Sequence, residues 1–201
     1  MDNKFLLDWV KKYVNLLLWP LENYYYHQYY HAIEVTQRTQ YLWNKEWLWK
    51  TELEMLFIAA MFHDTWFIVR YDDNETIWAT IASNYLKTIS YSSEKINIIK
   101  ELIISTNLQY LKPKNILEKI IKDADMDNIG RDDFFEKWAR LKKELEMIKK
   151  IKIKDPDWYH YALEILYKYR FFTKTSNFER EWKKKDNIKK LKELITTNQY
   201  V

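Results

Sequence analysis

The stretch Ser93-Glu94-Lys95-Ile96-Asn97-Ile98-Ile99-Lys100-Glu101-Leu102-Ile103-Ile104-Ser105-Thr106-Asn107 decides the fold class. Ile96, Ile99, Leu102 and Ile103 recur at three- and four-residue steps, which places them on one face of a helix. Upstream, Trp78, Ile81, Ala82, Tyr85, Leu86 and Ile89 repeat the pattern. Start signals agree. Asn74 precedes Glu75, Asn115 stands three residues before Glu118 in a capping-box-like pair, and Asp155-Pro156 puts Pro at a first helical position. Gly130 sits where a helix C-cap belongs. These signals predict helices near 3–18, 28–45, 51–63, 75–89, 93–107, 115–127, 132–150, 156–172 and 178–197.

Composition points the same way. The 201 residues include one Gly and three Pro, where average usage gives roughly 14 and about 10. Sandwiches and barrels need many tight turns, and dinucleotide and phosphate loops need glycines where backbone amides approach a phosphate. Gly130 alone supplies neither, so the class is all-α, and no linker interrupts residues 1–201 as a single domain. Cysteine is absent, which excludes disulfides, thiolate metal sites and cysteine nucleophiles. Lys4, Asp8, Lys11 and Lys12 break up the apolar residues of Met1 to Leu21, giving an amphipathic helix and not a signal peptide. No apolar run approaches the ~20 residues that span a bilayer. A cytoplasmic protein with no membrane partner is expected.

The net charge of +4 does not demand a nucleic-acid partner. Residues 142–154 and 183–192 are lysine-rich, but at helical spacing their Leu and Ile residues face inward and the lysines form a solvated face. Nucleic acid is thus a possible partner and not the favoured one. The Trp and Tyr residues are expected mostly in the core.

Four histidines remain, three of them in two short contexts. His27 and His31 stand four apart in Tyr26-His27-Gln28-Tyr29-Tyr30-His31-Ala32, so they share a face if the segment is helical. In Ala59-Ala60-Met61-Phe62-His63-Asp64-Thr65 an apolar helix delivers a His-Asp pair at its end. A charged pair there is costly to bury without a partner, and a metal ion is the simplest one. A third apolar stretch brings carboxylates inward in Ile120-Ile121-Lys122-Asp123-Ala124-Asp125-Met126-Asp127-Asn128-Ile129-Gly130-Arg131. Asp123 and Asp125 point about 200° apart on a helix, so only one can face an ion squarely. Asp127 is expected in solvent.

This ordered set resembles the HD-domain metal-dependent phosphohydrolase superfamily, whose mark is a His, a His-Asp doublet and a distant Asp around one divalent metal. The resemblance covers roughly residues 20–180, leaving N- and C-terminal flanking helices. It implies His31, His63, Asp64 and Asp125 as ligands, with Asp123 the alternative to Asp125. The Ala-Asp pair before an apolar residue favours Asp125. It implies a metal-dependent phosphohydrolase cleaving a phosphomonoester or phosphodiester, of a nucleotide or small metabolite, by a metal-activated water.

Two imidazoles and two carboxylates form a mixed N/O site suited to Mn, Fe, Co, Ni, Zn or Mg. An octahedral ion would keep positions for water and a phosphate oxygen. No His lies in residues 65–124 to hold a second ion, so one is expected. His27 resembles the histidine that protonates the leaving alcohol, with Asp64 also catalytic. Glu75 is a candidate general base, with a helix N-terminal acid as its alternative reading. Arg131, then Lys122 and Arg70, are candidates for the substrate phosphate. His160 reads as structural. The rival reading keeps the HD fold as a non-catalytic nucleotide- or RNA-binding or regulatory module.

Overall fold

The computed structural model describes residues 3–18, 24–48, 50–64, 74–110 and 112–197, and every regular element among them is helical. In chain order these are α1 (Asn3–Leu18), α2 (Tyr29–Lys45), α3 (Lys50–Phe62), α4 (Asn74–Thr88), α5 (Ser93–Ser105), α6 (Ile116–Asp125), a 3-10 turn (Met126–Gly130), α7 (Phe134–Lys149), α8 (Asp155–Lys168) and α9 (Lys174–Thr197). The chain divides into two compact units. The first, Met1–Asn23 with His27–Asp125, holds α1 to α6; the second, Tyr24–Tyr26 with Met126–Val201, holds the turn and α7 to α9.

In the first unit α3 is the central rod. Met55 through Phe62 are all buried, and a helix apolar on every side can be stable only inside a core. Each fully buried Leu or Ile there contributes roughly 1.5–3 kcal/mol over exposure. Around it pack the inward faces of α1 (Leu6, Val10, Val14), α2 (Ala32, Val35, Leu42) and α5 (Ile96, Ile99, Ile103). The start of α6 is capped as its residues suggest, with Asn115 Oδ1 accepting from the Glu118 amide at 3.0 Å. The Glu118 carboxylate reaches one residue further back than a capping box requires, to the Lys114 amide at 2.7 Å.

Scarce glycine leaves its mark on the helix ends. Trp47, Ser90 and Lys150, with φ of 59°, 55° and 51°, occupy the left-handed positions that close α2, α4 and α7. After α4 the Tyr91 amide donates to Leu86 and the Ser90 amide to Lys87, the pattern Gly usually completes.

In the second unit Phe134, Trp138 and Trp158 stack in series at 5.7 and 4.9 Å. The helix expected over 115–127 ends instead at Asp125, and the backbone tightens into the 3-10 turn. The carbonyls of Ile129 and Arg131 that this exposes are taken by Asn187 Nδ2 at 3.0 and 3.1 Å. Asp127, expected in solvent, is buried because the Arg180 guanidinium forks onto it at 2.7 and 3.2 Å. Gly130 is no left-handed cap, since its φ is not positive. Its need for hydrogen comes from packing: a Cβ there would lie 2.5 Å from Arg180 Cβ and 2.6 Å from the Arg180 carbonyl oxygen.

α9 begins at Lys174, one turn earlier than expected, and α8 stops at Lys168, short of 172. The lysine-rich face of α9 is not wholly solvated. Lys184 is buried, its Nζ donating to the Tyr169 carbonyl at 2.8 Å with Glu181 at 2.8 Å. No described helix is long and apolar enough to cross a membrane.

Candidate metal centre

Three helices of the first unit deliver the cluster. The apolar α3 ends at Phe62, so His63 and Asp64 emerge in the turn at its buried C-terminus. His31 lies in the first turn of α2, and Asp125 is the last residue of α6. Their ligand atoms all fall within 4.8 Å of one another. His31 Nε2 stands 3.2 Å from Asp64 Oδ2 and 3.5 Å from Asp125 Oδ1. His63 Nε2 stands 3.0 and 3.3 Å from the same two oxygens.

The surroundings of His63 suit a group that could hold a metal ion. His63 Nδ1 lies 2.7 Å from the Ala60 carbonyl, so it must carry the proton of that bond. Its Nε2 is buried yet makes no hydrogen bond with either carboxylate. The four ligand atoms lie close enough together for one ion to touch each of them. Ligand atoms bound to a common ion at about 2.1 Å stand about 3.0 Å apart at right angles and about 3.4 Å apart at the tetrahedral angle. The four separations match those edges. A backbone carbonyl fixing the far ring nitrogen is also how metal-binding histidines are oriented.

The electrostatics tell the same story. Burial lowers the pKa of His63, but Asp64 and Asp125 outweigh it and hold the ring well above the ordinary histidine range. His31 is raised in the same way against its burial, through Asp125 and Asp64. Burial pushes the carboxyl of Asp125 up, and the two rings pull it down to about 2. Asp64 is likewise held well below the usual carboxylate range by His63 and His27. A site this rich in negative charge binds cations, protons when nothing better is present. His63 is 1% exposed, against 12% for Asp64 and 19% for Asp125.

Of the two candidates on α6, Asp125 joins the group and Asp123, also buried, does not. His27 precedes α2, whose N-cap is Gln28, so the two histidines are not partners on one helix face. The ring reaches the cluster nonetheless, with Nε2 4.0 Å from Asp64 Oδ2 and its plane edge-on to His31 at 5.9 Å. Glu75, in the first turn of α4, accepts from Asn107 Nδ2 at 3.0 Å. Burial first, then the charges of Asp64 and Asp125, raise its carboxyl pKa.

Lys122 belongs to the scaffold and not to a phosphate contact. It is 1% exposed, and its ammonium donates to the carbonyls of Ser105 at 3.0 Å and Asn107 at 2.6 Å, at and just beyond the end of α5. Burial pushes its pKa down to about 8. Asn107, which no sequence signal marked, links this clamp to Glu75. Arg131 lies in the second unit, where it forks onto Asp133 at 2.9 and 2.5 Å and stands 3.8 Å from Asp127. Arg70 lies outside the described residues. His160 is exposed on α8.

No family model matches the chain, and no curated protein matches it. Among solved structures it is similar to the YpgQ protein of Bacillus subtilis in complex with ADP, with a TM-score of 0.68 and 18% identity over 98% of this chain and 97% of that one. It is also similar to the Lin1889 protein of Listeria innocua, with a TM-score of 0.65 and 20% identity over 96% of each chain. At these identities the likeness shows that the chain shares their all-helical fold over nearly its whole length.

Proposed function

We propose that this protein is a metal-dependent phosphohydrolase of the HD type, cleaving a phosphomonoester or phosphodiester of a nucleotide or related small metabolite. The observation that carries the reading is the buried, hydrogen-bond-free Nε2 of His63, grouped with His31 Nε2 and an oxygen each of Asp64 and Asp125 within 4.8 Å of one another. The ADP bound to the similar Bacillus subtilis protein supports a small phosphorylated ligand.

His31, His63, Asp64 and Asp125 would hold one divalent ion, of Mn, Fe, Co, Ni, Zn or Mg. Such an ion supplies Lewis-acid polarisation of a phosphoryl oxygen and a water of lowered pKa. The chain's own residues do the rest. Ala60 holds His63 in the tautomer that leaves Nε2 as a lone-pair donor. His27, held 4.0 Å from Asp64, carries a proton at the edge of the site and delivers it to the departing oxygen. Glu75, with its raised pKa, receives the proton of the attacking water, and Asn107 fixes the direction of that carboxylate.

The test is a phosphate-release screen of the purified protein with each divalent ion, across nucleoside mono-, di- and triphosphates, cyclic nucleotides and simple aryl phosphates. Turnover by the parent, falling to background in a folded Asp64→Ala variant, is expected. Full activity in that variant contradicts the mechanism. Binding without turnover of any member favours the non-catalytic module.

A further inference from the structure

We infer that the outer face of α9 is a docking surface for single-stranded nucleic acid, a role separate from the metal centre. At 100° per residue, Lys174, Phe178, Trp182, Lys185, Lys189 and Lys192 fall within about 80° of one another. All six are exposed. Phe178 is 87% and Trp182 65% exposed, an arrangement opposite to the core placement that large aromatics favour. The buried side of the same helix is polar, contributing Ser176, Lys184 and Asn187 beside Leu191. The pattern of an ordinary amphipathic helix is therefore inverted: two aromatics face outward, and no acid stands among them in that stripe.

Charge complementarity names the occupant. α9 carries eight Lys and Arg against four Asp and Glu, a surplus equal to the +4 of the whole chain. Lys174 and Lys185 have no carboxylate within 4.0 Å among the described residues. Lys189 has only a 3.9 Å approach to Glu193. At the far end Lys192 lies 5.4 Å above the ring of Tyr167, an α8 residue that is itself exposed, which extends the mixture of ring and cation.

A polyanion whose units each have a flat face suits both components, with bases stacking on Phe178 and Trp182 and phosphates meeting the lysines. From Lys174 to Lys192 the helix runs about 27 Å, the rise of roughly eight nucleotides of stacked strand and within the ~4–16 of known single-strand sites. An anionic membrane is the less fitting partner. A helix lying in a bilayer needs a continuous apolar side, and here three lysines follow the two aromatics within one stripe.

The experiment uses the full chain and a fluorescein-labelled RNA or DNA strand of mixed sequence, about twelve nucleotides long, followed by anisotropy from ~50 to ~200 mM salt. Four phosphates neutralised give a slope of log K against log salt of about −3, and Lys185→Gln with Lys189→Gln reduces its magnitude by about 1.4. Phe178→Ala with Trp182→Ala, which removes both stacking platforms, lowers affinity at least about 30-fold at an unchanged slope. All four side chains face solvent, so melting curves of the variants should match the parent's. Binding indifferent to salt, or equal in parent and both variants, overturns the inference. So does capture by phosphatidylcholine vesicles containing about a quarter phosphatidylserine when the oligonucleotide does not bind.

Discussion

Replacing Gly130 by Ala adds one methyl group where there is no room for it. The new Cβ would stand 2.5 Å from Arg180 Cβ, 2.6 Å from the Arg180 carbonyl oxygen and 3.0 Å from its Cα. Contact at ordinary van der Waals distance is near 3.5–4 Å. Two of the three opposing atoms are backbone, so no side chain can swing aside, and the turn and α9 must separate by about 1 Å. That movement works against the Asn187 bonds to Ile129 and Arg131 and the Arg180 fork on Asp127. Overpacking costs about 1–3 kcal/mol, and weakening two hydrogen bonds costs about 1 kcal/mol each. Against this, Ala removes about 0.4–1 kcal/mol of chain entropy from the unfolded state. The net loss is about 2–4 kcal/mol, which in a protein of this size lowers Tm by roughly 5–15 °C. Thermal and urea melts of Gly130→Ala followed by circular dichroism read it directly. A midpoint equal to or above the parent's would refute the close approach of α9 to the turn.

Other outcomes follow from the same geometry. Asp125→Asn should weaken divalent-ion affinity by well over 100-fold while Asp123→Asn leaves it near the parent's, as chelator competition would show; the reverse order would reassign the ligand. In the metal-free protein the raised His63 and His31 contribute stability that is complete below pH ~6.5 and lost as pH rises through their folded values. The depressed Asp125 contributes stability present above pH ~3.8 and lost as pH falls toward about 2. Melting of the metal-free protein should therefore fall on the alkaline side of that window. Ion affinity should rise with pH and release protons, measurable by calorimetry in buffers of different ionisation enthalpy. Ser90→Gly and Lys150→Gly, at left-handed helix ends, should each stabilise by about 1 kcal/mol, and a loss on either would contradict the strain. Asn107→Ala, which frees Glu75, should lower kcat with little change in KM and move the basic group in the pH–rate profile, whereas an unmoved profile would leave Asn107 a purely structural residue.

The helices could be read from sequence because they depend on local spacing, whereas the group of His31, His63, Asp64 and Asp125 was implied by the resemblance to the HD-domain superfamily. Ile96, Ile99, Leu102 and Ile103 mark a face within three turns, and an apolar run ending in His63-Asp64 marks a buried charge that needs a partner. Asp125 over Asp123 was a narrower matter, resting on resemblance until the cluster's geometry separated them. What stayed hidden is long-range polar pairing. Arg180 and Asp127 stand 53 residues apart, and nothing in Asp-Met-Asp-Asn predicts that the last Asp is buried. Lys122 looked like a phosphate contact because a lysine beside a metal motif is a natural one. Its real acceptors are carbonyls at and just after the end of α5, chosen by packing. Lys184 and Trp182 changed places for a related reason: the buried side of α9 meets backbone carbonyls, such as that of Tyr169, which suit an ammonium better than an indole.

The central claim is that His31, His63, Asp64 and Asp125 hold an ion. The most direct test is the metal content of the purified protein by mass spectrometry, beside Asp64→Ala with its folding checked. The account predicts about one divalent ion per chain in the parent and essentially none in the variant. Absence of metal from both, even after incubation with manganese or nickel, would contradict it.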